Sequence, residues 1–168
     1  FSTLSKKDPE KELIIASSSF SNRKNKNHDL IAKISLLPNI KINHFGSWPN
    51  NLNKNKVNLK GIVSQEVLSN AIVNSHYFLH PAINDPCPNS IIEALSLGVP
   101  VIYNPGPGSS NELVKGHGIA LNINNIEESI NQAKRDFLDI SNLLKMEKEE
   151  YSISKTASKY ASIFRNFI

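Results

Sequence analysis

Cysteine is almost absent from this chain: Cys87 stands alone, which excludes an internal disulfide and a thiolate cluster for zinc, so the fold does not depend on an oxidising compartment. Long apolar runs are missing too. No uninterrupted stretch approaches the roughly 18 residues of a membrane span, and no signal peptide is visible, so a cytoplasmic setting is the default expectation. Aromatic residues make up only 7% of the chain and are not interleaved with its cations, which argues against a single-strand nucleic-acid binder. The net charge of +4 and the pI near 9.1 then point to some other anionic partner, such as phosphate. Histidines are present but scattered: His44, His76, His80 and His117 show no metal-ligand spacing, and no EF-hand, Walker or HExxH pattern occurs. His80 reads either as a core or edge residue or as one that lines a cleft. Methionine occurs once, at Met146, and the chain opens on Phe1, so the expectation is a piece of something longer.

What is present is the composition of an ordinary globular domain, with 39% hydrophobic and 20% charged residues in 168. Residues 1–10 read as a linker or leader and 11–150 as one domain. Leu13–Ala16 has the continuous apolar character of a buried parallel strand. It feeds a loop rich in Ser, Asn and cations, then a helix with Leu30, Ile31, Ile34 and Leu37 on one face. Residues 39–46 read as the next strand, ending at Gly46, and Trp48–Lys56 as a polar surface excursion. A short strand over Val57–Gly61 precedes a helix capped by Ser64, with Val67, Leu68, Ala71 and Ile72 as its apolar face. Late in the chain Ile126, Ile130, Ala133, Phe137, Ile140 and Leu144 recur at helical spacing, and residues 151–168 repeat that pattern.

The centre is more specific. Tyr77–Leu79 is a short apolar strand that ends at Pro81, and a loop from Ala82 to Pro88 carries Asp85. Pro88 suits the first position of the helix that follows, since its missing amide has no intrahelical acceptor. Asn89 and Ser90 then stand at a helix start, where dipole and amides favour an anion, and Glu93 lies one turn further in. Val99–Tyr103 is a second buried strand. Gly106 and Gly108 bracket Pro107 in the turn after it, ahead of a short helix over Ser109–Lys115 that contains Glu112, and residues 118–122 supply a last strand.

The run "DPCPNSIIEALSLGVPVI" followed by "PGSSNELV" closely resembles the C-terminal domain of retaining glycosyltransferases of the GT-B type, in their largest family, which includes sucrose, mannosyl and lipopolysaccharide transferases. The resemblance implies a binding site for a nucleoside diphosphate sugar, with a UDP, GDP or ADP leaving group and no metal. It implies Asp85 and Glu93 as the catalytic acids of that site: Glu93 would hold the ribose and Asp85, where most members carry Glu, would face the sugar. Cys87 and Pro88 replace the usual Phe-Gly pair, so amide contacts would come from Asn89 or Ser90. "KNHDL" is similar to the family's phosphate-binding segment, which implies Lys26 and Arg23 on the diphosphate, with Asn27 in place of Gly. Gly106 and Gly108 would approach the sugar or phosphate, Glu112 matches the acid of the glycine turn, and Ile62 or Val63, both read primarily as core, could touch the base.

The fold expected is α/β: a Rossmann-like parallel sheet of about six strands with helices on both faces. The implied function is the donor-binding half of a retaining, metal-independent glycosyltransferase that moves a hexose-type sugar to a saccharide or lipid acceptor, in polysaccharide or glycoconjugate biosynthesis. The acceptor would sit on an absent N-terminal domain, to which residues 151–168 could cross; without it this fragment would be inactive. Peripheral contact with the inner face of a membrane would come through the full-length enzyme, and nucleic acid is not an expected partner. A GT-B sugar-nucleotide epimerase and a non-catalytic nucleotide-sugar-binding module are the alternatives.

Overall fold

The computed structural model describes residues 8–147, 151–152 and 154–155. Six strands, β1 (Leu13–Ser19), β2 (Ile40–Gly46), β3 (Asn58–Gly61), β4 (Tyr77–His80), β5 (Val101–Tyr103) and β6 (Gly118–Ala120), form one sheet in the order β3-β2-β1-β4-β5-β6. Every pairing is parallel. The connecting helices are α1 (His28–Ile34), α2 (Gln65–Val73), α3 (Asn89–Ser96), α4 (Ser110–Val114) and α5 (Ile126–Glu147).

Strand alternation sorts the apolar residues onto two faces. Leu13, Ile15, Ile42, Tyr77, Leu79 and Ile102 point to a core closed by α1 and the first half of α5. Ala16, Phe45, Phe78, Val101 and Tyr103 point the other way, to a core closed by α2, α3 and α4. Helices therefore cover both faces, as expected. In α5, Ile130, Ala133 and Phe137 belong to the first core, where the Tyr77 hydroxyl donates to the Ala133 carbonyl at 2.9 Å. Leu144 belongs to the second.

The strand order reverses direction between β1 and β4, and this switch point positions the site. The chain builds β1, β2 and β3 outward in one direction, then returns to lay β4 on the other side of β1. Loops leaving the carboxyl ends of β1 and β4 consequently part on opposite sides, and a crevice opens between them.

The structure differs from the sequence reading in several places. β1 continues through Ser17–Ser19 rather than ending at Ala16, because Ser17 and Ser19 satisfy their hydroxyls inside the protein. Ser17 is fully buried, its Oγ is 2.9 Å from His44 Nδ1, and His44 Nε2 is 3.0 Å from the Ser47 carbonyl. That carbonyl fixes the ring proton on Nε2, so the Ser17 hydroxyl donates to Nδ1. Trp48 is not a free surface residue: its indole N–H donates to the Leu52 carbonyl, and its ring packs edge-on against His28 and His44. Ser64 caps α2 through the Val67 amide at 3.3 Å, but Val67 faces solvent while Leu68 and Ile72 are buried. Ile62, expected as core, is 77% exposed. Pro88 is the cap residue of α3 rather than its first helical residue. Strands β5 and β6 and helix α4 are shorter than expected by one or two residues at an end. The expected linker is described only from Asp8, and most of the expected crossing helix lies outside the described residues. Among the described residues no helix is long and apolar enough to cross a membrane.

Gly46 closes β2 at φ +97°, where a Cβ would collide with the Ser19 carbonyl that accepts the Ser47 amide at 2.7 Å. Gly46→Ala should therefore destabilise the fold by at least about 2 kcal/mol, through the positive φ and the displaced strand end together. Urea denaturation measures this, and an unchanged midpoint would contradict the assignment.

Candidate functional site

The crevice between β1 and β4 is an open cleft of ≈ 380 Å³. Its walls come from the carboxyl end of β1 (Ser18, Ser19, Phe20, Ser21), the end of β4 with the loop after it (His80, Pro81, Asp85, Cys87), and the start of α3 (Asn89, Ser90, Glu93). Lys26 enters from the loop between β1 and α1.

Two loops far apart in sequence are locked together here. The Ile83 amide donates to the Asn25 carbonyl at 2.8 Å, and Asn27 Nδ2 donates to the Pro81 carbonyl at 3.2 Å. Asn27 adopts φ 54°, in the left-handed region that asparagine tolerates better than most residues. Across the same junction Lys26 Nζ donates to Asp85 Oδ2 at 3.0 Å. The other carboxylate oxygen of Asp85 accepts the Cys87 amide at 3.3 Å.

Asp85 is held from a third side by its backbone. It bridges to Gly108 in parallel fashion, and its carbonyl accepts the Ser109 amide at 3.2 Å. The Ser109 hydroxyl adds a bond to the Pro86 carbonyl at 2.7 Å. A side chain at Gly108 would run into the Asp85 backbone, and Gly108 has φ +129°. Gly108 thus lets the glycine turn dock on the acidic loop, and it is not among the residues that line the cleft.

Electrostatics follow from this geometry. Burial pushes the Asp85 carboxyl up, but the hydrogen bond and charge of Lys26, aided by His80 and the Cys87 amide, outweigh it and leave the carboxyl below its usual range. His80 is buried at the back of the cleft, with Nδ1 3.2 Å from Ser90 Oγ and Nε2 3.8 Å from Asp85 Oδ2. Burial lowers His80 to about 4, against the pull of Asp85 and with the push of Lys26. Its ring is therefore neutral near pH 7.

Of the residues singled out from sequence, Lys26, Asp85, Cys87, Asn89, Ser90 and Glu93 share the cleft wall. Arg23, Gly106 and Glu112 do not line it; Arg23 and Glu112 are exposed, and the Gly106 amide is bonded to Asn104 Oδ1 at 3.2 Å. The Asn89 amide is already engaged with the Cys87 carbonyl at 2.9 Å. Sequence reasoning left His80 open between core and cleft and missed the serine edge of β1. Both had a signal: each ends a buried strand that faces the switch point.

The sheet and its helices have counterparts among known proteins. Residues 3–157 match the model of the family described as glycosyl transferases group 1. No curated protein sequence matches the chain. Among solved structures, sucrose-phosphate synthase from Thermosynechococcus elongatus is similar over 93% of this chain and 45% of its own, with a TM-score of 0.69 at 17% identity. Anabaena Alr3699/HepE in complex with UDP is similar over 93% of this chain and 49% of its own, with a TM-score of 0.70 at 14% identity. An S. aureus TarM mutant in complex with Fondaparinux, alpha-GlcNAc-glycerol and UDP is similar over 92% of this chain and 36% of its own, with a TM-score of 0.67 at 19% identity. The chain thus spans less than half the length of each of these proteins. At these identities the likeness shows the fold.

Burial lowers both His44 and His80 from 6.5 to about 4, so between those values the unfolded chain takes up protons that the folded chain refuses. Stability should fall as the pH drops through this window, by about 1.4 kcal/mol per pH unit for each histidine. Asp85, with its folded value below 3.8, extends the loss to lower pH. Urea midpoints measured from pH 7.5 to 4 test this, and a flat profile would contradict the neutral buried rings.

Proposed function

Because the chain belongs to the glycosyl transferases group 1 family, we propose that the β1/β4 cleft binds a nucleoside diphosphate sugar and that the domain is the sugar-donor half of a glycosyltransferase. One observation carries this reading. Lys26, Asp85, Glu93 and the amino end of α3 converge on a single cleft at the carboxyl edge of the sheet, which is where open parallel sheets place such ligands.

The diphosphate lies against Lys26 and the start of α3, where a cation and a helix dipole both favour negative charge. Glu93, exposed one turn into α3, accepts hydrogen bonds from the ribose hydroxyls. Asp85 faces the sugar. During transfer, negative charge grows on the departing diphosphate, and Lys26 with the helix end stabilises it there. No side chain of this domain is assigned as a base. The transfer retains configuration, needs no metal and moves a hexose-type sugar to a saccharide or lipid acceptor held by a separate domain; the setting is the cytoplasm or the inner face of a membrane. The solved structures in complex with UDP support a nucleoside diphosphate as the ligand class.

The test is titration calorimetry of the full-length protein with UDP, GDP, ADP and inorganic pyrophosphate. Lys26→Ala should weaken every ligand by on the order of tenfold to a hundredfold, the worth of a charge-assisted hydrogen bond. Glu93→Ala should weaken only the nucleotides, because pyrophosphate has no ribose. Equal losses for pyrophosphate and nucleotide in the Glu93 variant would remove its ribose role, and no binding of any of the four by the unaltered protein would remove the reading itself.

A further inference from the structure

Among the described residues that line the cleft, His80 alone carries a fully buried side-chain nitrogen or oxygen without a hydrogen bond. Its Nε2 is buried and has no hydrogen-bond partner among the described residues, although its side chain is only 6% exposed. Buried nitrogens are rarely left so. The other ring nitrogen sits on the Ser90 hydroxyl at 3.2 Å. With a carboxylate oxygen 3.8 Å from Nε2, the favoured tautomer carries its proton there, and Ser90 donates to Nδ1. The ring thus holds an N–H towards Asp85 just beyond bonding distance.

Asp85 has the complementary difficulty once a ligand arrives. Its side chain is 14% exposed, and its strong partner is Lys26 at 3.0 Å. A diphosphate that claims Lys26 leaves the carboxylate half-satisfied, with the Cys87 amide at 3.3 Å as its remaining described donor. Even a half-buried charge stripped of its partner loses stabilisation. An approach of about 1 Å would bring His80 Nε2 within hydrogen-bond reach of the same oxygen.

We propose that His80 is a positioning residue that takes over Asp85 when a diphosphate draws Lys26 away. The Nε2–H then bonds to Asp85 Oδ2, which keeps the carboxylate aimed into the cleft while Lys26 serves the ligand. No bond is made or broken beyond hydrogen bonds. The inference rests on the diphosphate reading of the cleft, and it adds a role for a residue that this reading does not require.

A double-mutant cycle separates this from mere packing. In the full-length protein, affinity is measured for whichever of UDP, GDP and ADP binds the unaltered protein. His80→Asn keeps a polar atom near Nδ1 but has none at Nε2, and should weaken binding by on the order of tenfold. In an Asp85→Asn background the same substitution should change affinity by less than about twofold, since no carboxylate remains to be taken over. His80→Gln reaches the Nε2 position and should stay within about threefold of the unaltered protein. Equal losses in both backgrounds would make His80 a packing residue, and no loss in either would remove its role. Should the His80 variants fail to fold, nitrogen-15 spectra of the unaltered protein decide: the Nε2 proton of His80 should move downfield on ligand addition, and an unmoved resonance overturns the proposal. If none of the three nucleotides binds the unaltered protein, the diphosphate reading fails and the exchange fails with it; if one binds while the cycle shows no coupling, only the exchange fails.

Discussion

The ion pair between Lys26 and Asp85 ties together the two loops that the sheet topology drives apart. β1 and β4 are neighbours, yet the chain leaves them in opposite directions, so a crevice between their carboxyl ends is unavoidable. The 3.0 Å contact, flanked by bonds from Ile83 to Asn25 and from Asn27 to Pro81, holds them at one separation. The pair is also the chemistry of the site. It sets a cation and an anion at the mouth of a cleft whose far wall is the start of a helix.

Around this contact the rest of the domain reads as support. The serine end of β1 is kept in the sheet by His44, which Trp48 and His28 pack from the side. The glycine turn after β5 is pressed against the Asp85 backbone and braces the acidic loop from behind. Ile91, Ala94 and Leu95 bury one face of α3 against the second core, which fixes the direction of its amino end. Several of the polar groups that approach the cleft are thus immobilised by something apolar or hydrogen-bonded behind them, the arrangement that electrostatic preorganisation requires.

The fold was largely legible in the sequence because parallel strands buried on both faces are continuous apolar runs, as in Leu13–Ala16, Tyr77–Leu79 and Val99–Tyr103. The site was legible where its residues lie close in sequence: Asp85 and Glu93 flank one loop and one helix start. What escaped depended on contacts between distant segments. Ser17 looks like loop until His44 is placed beside it, and Val67 looks apolar-facing until the cap fixes the rotation of α2. Gly108 looked like a residue that approaches a ligand, yet its lack of a side chain is used by the backbone of Asp85. His80 could not be chosen between core and cleft from spacing alone, since both readings end the same buried strand.

The most direct test of the central claim is a crystal structure of the full-length protein with a bound nucleoside diphosphate. This account expects the two phosphates between Lys26 Nζ and the amino end of α3, with the ribose at Glu93. A nucleotide bound instead in the separate depression of ≈ 420 Å³ between Asn27, Ile83 and Ile123, with the Lys26–Asp85 cleft empty, would contradict it.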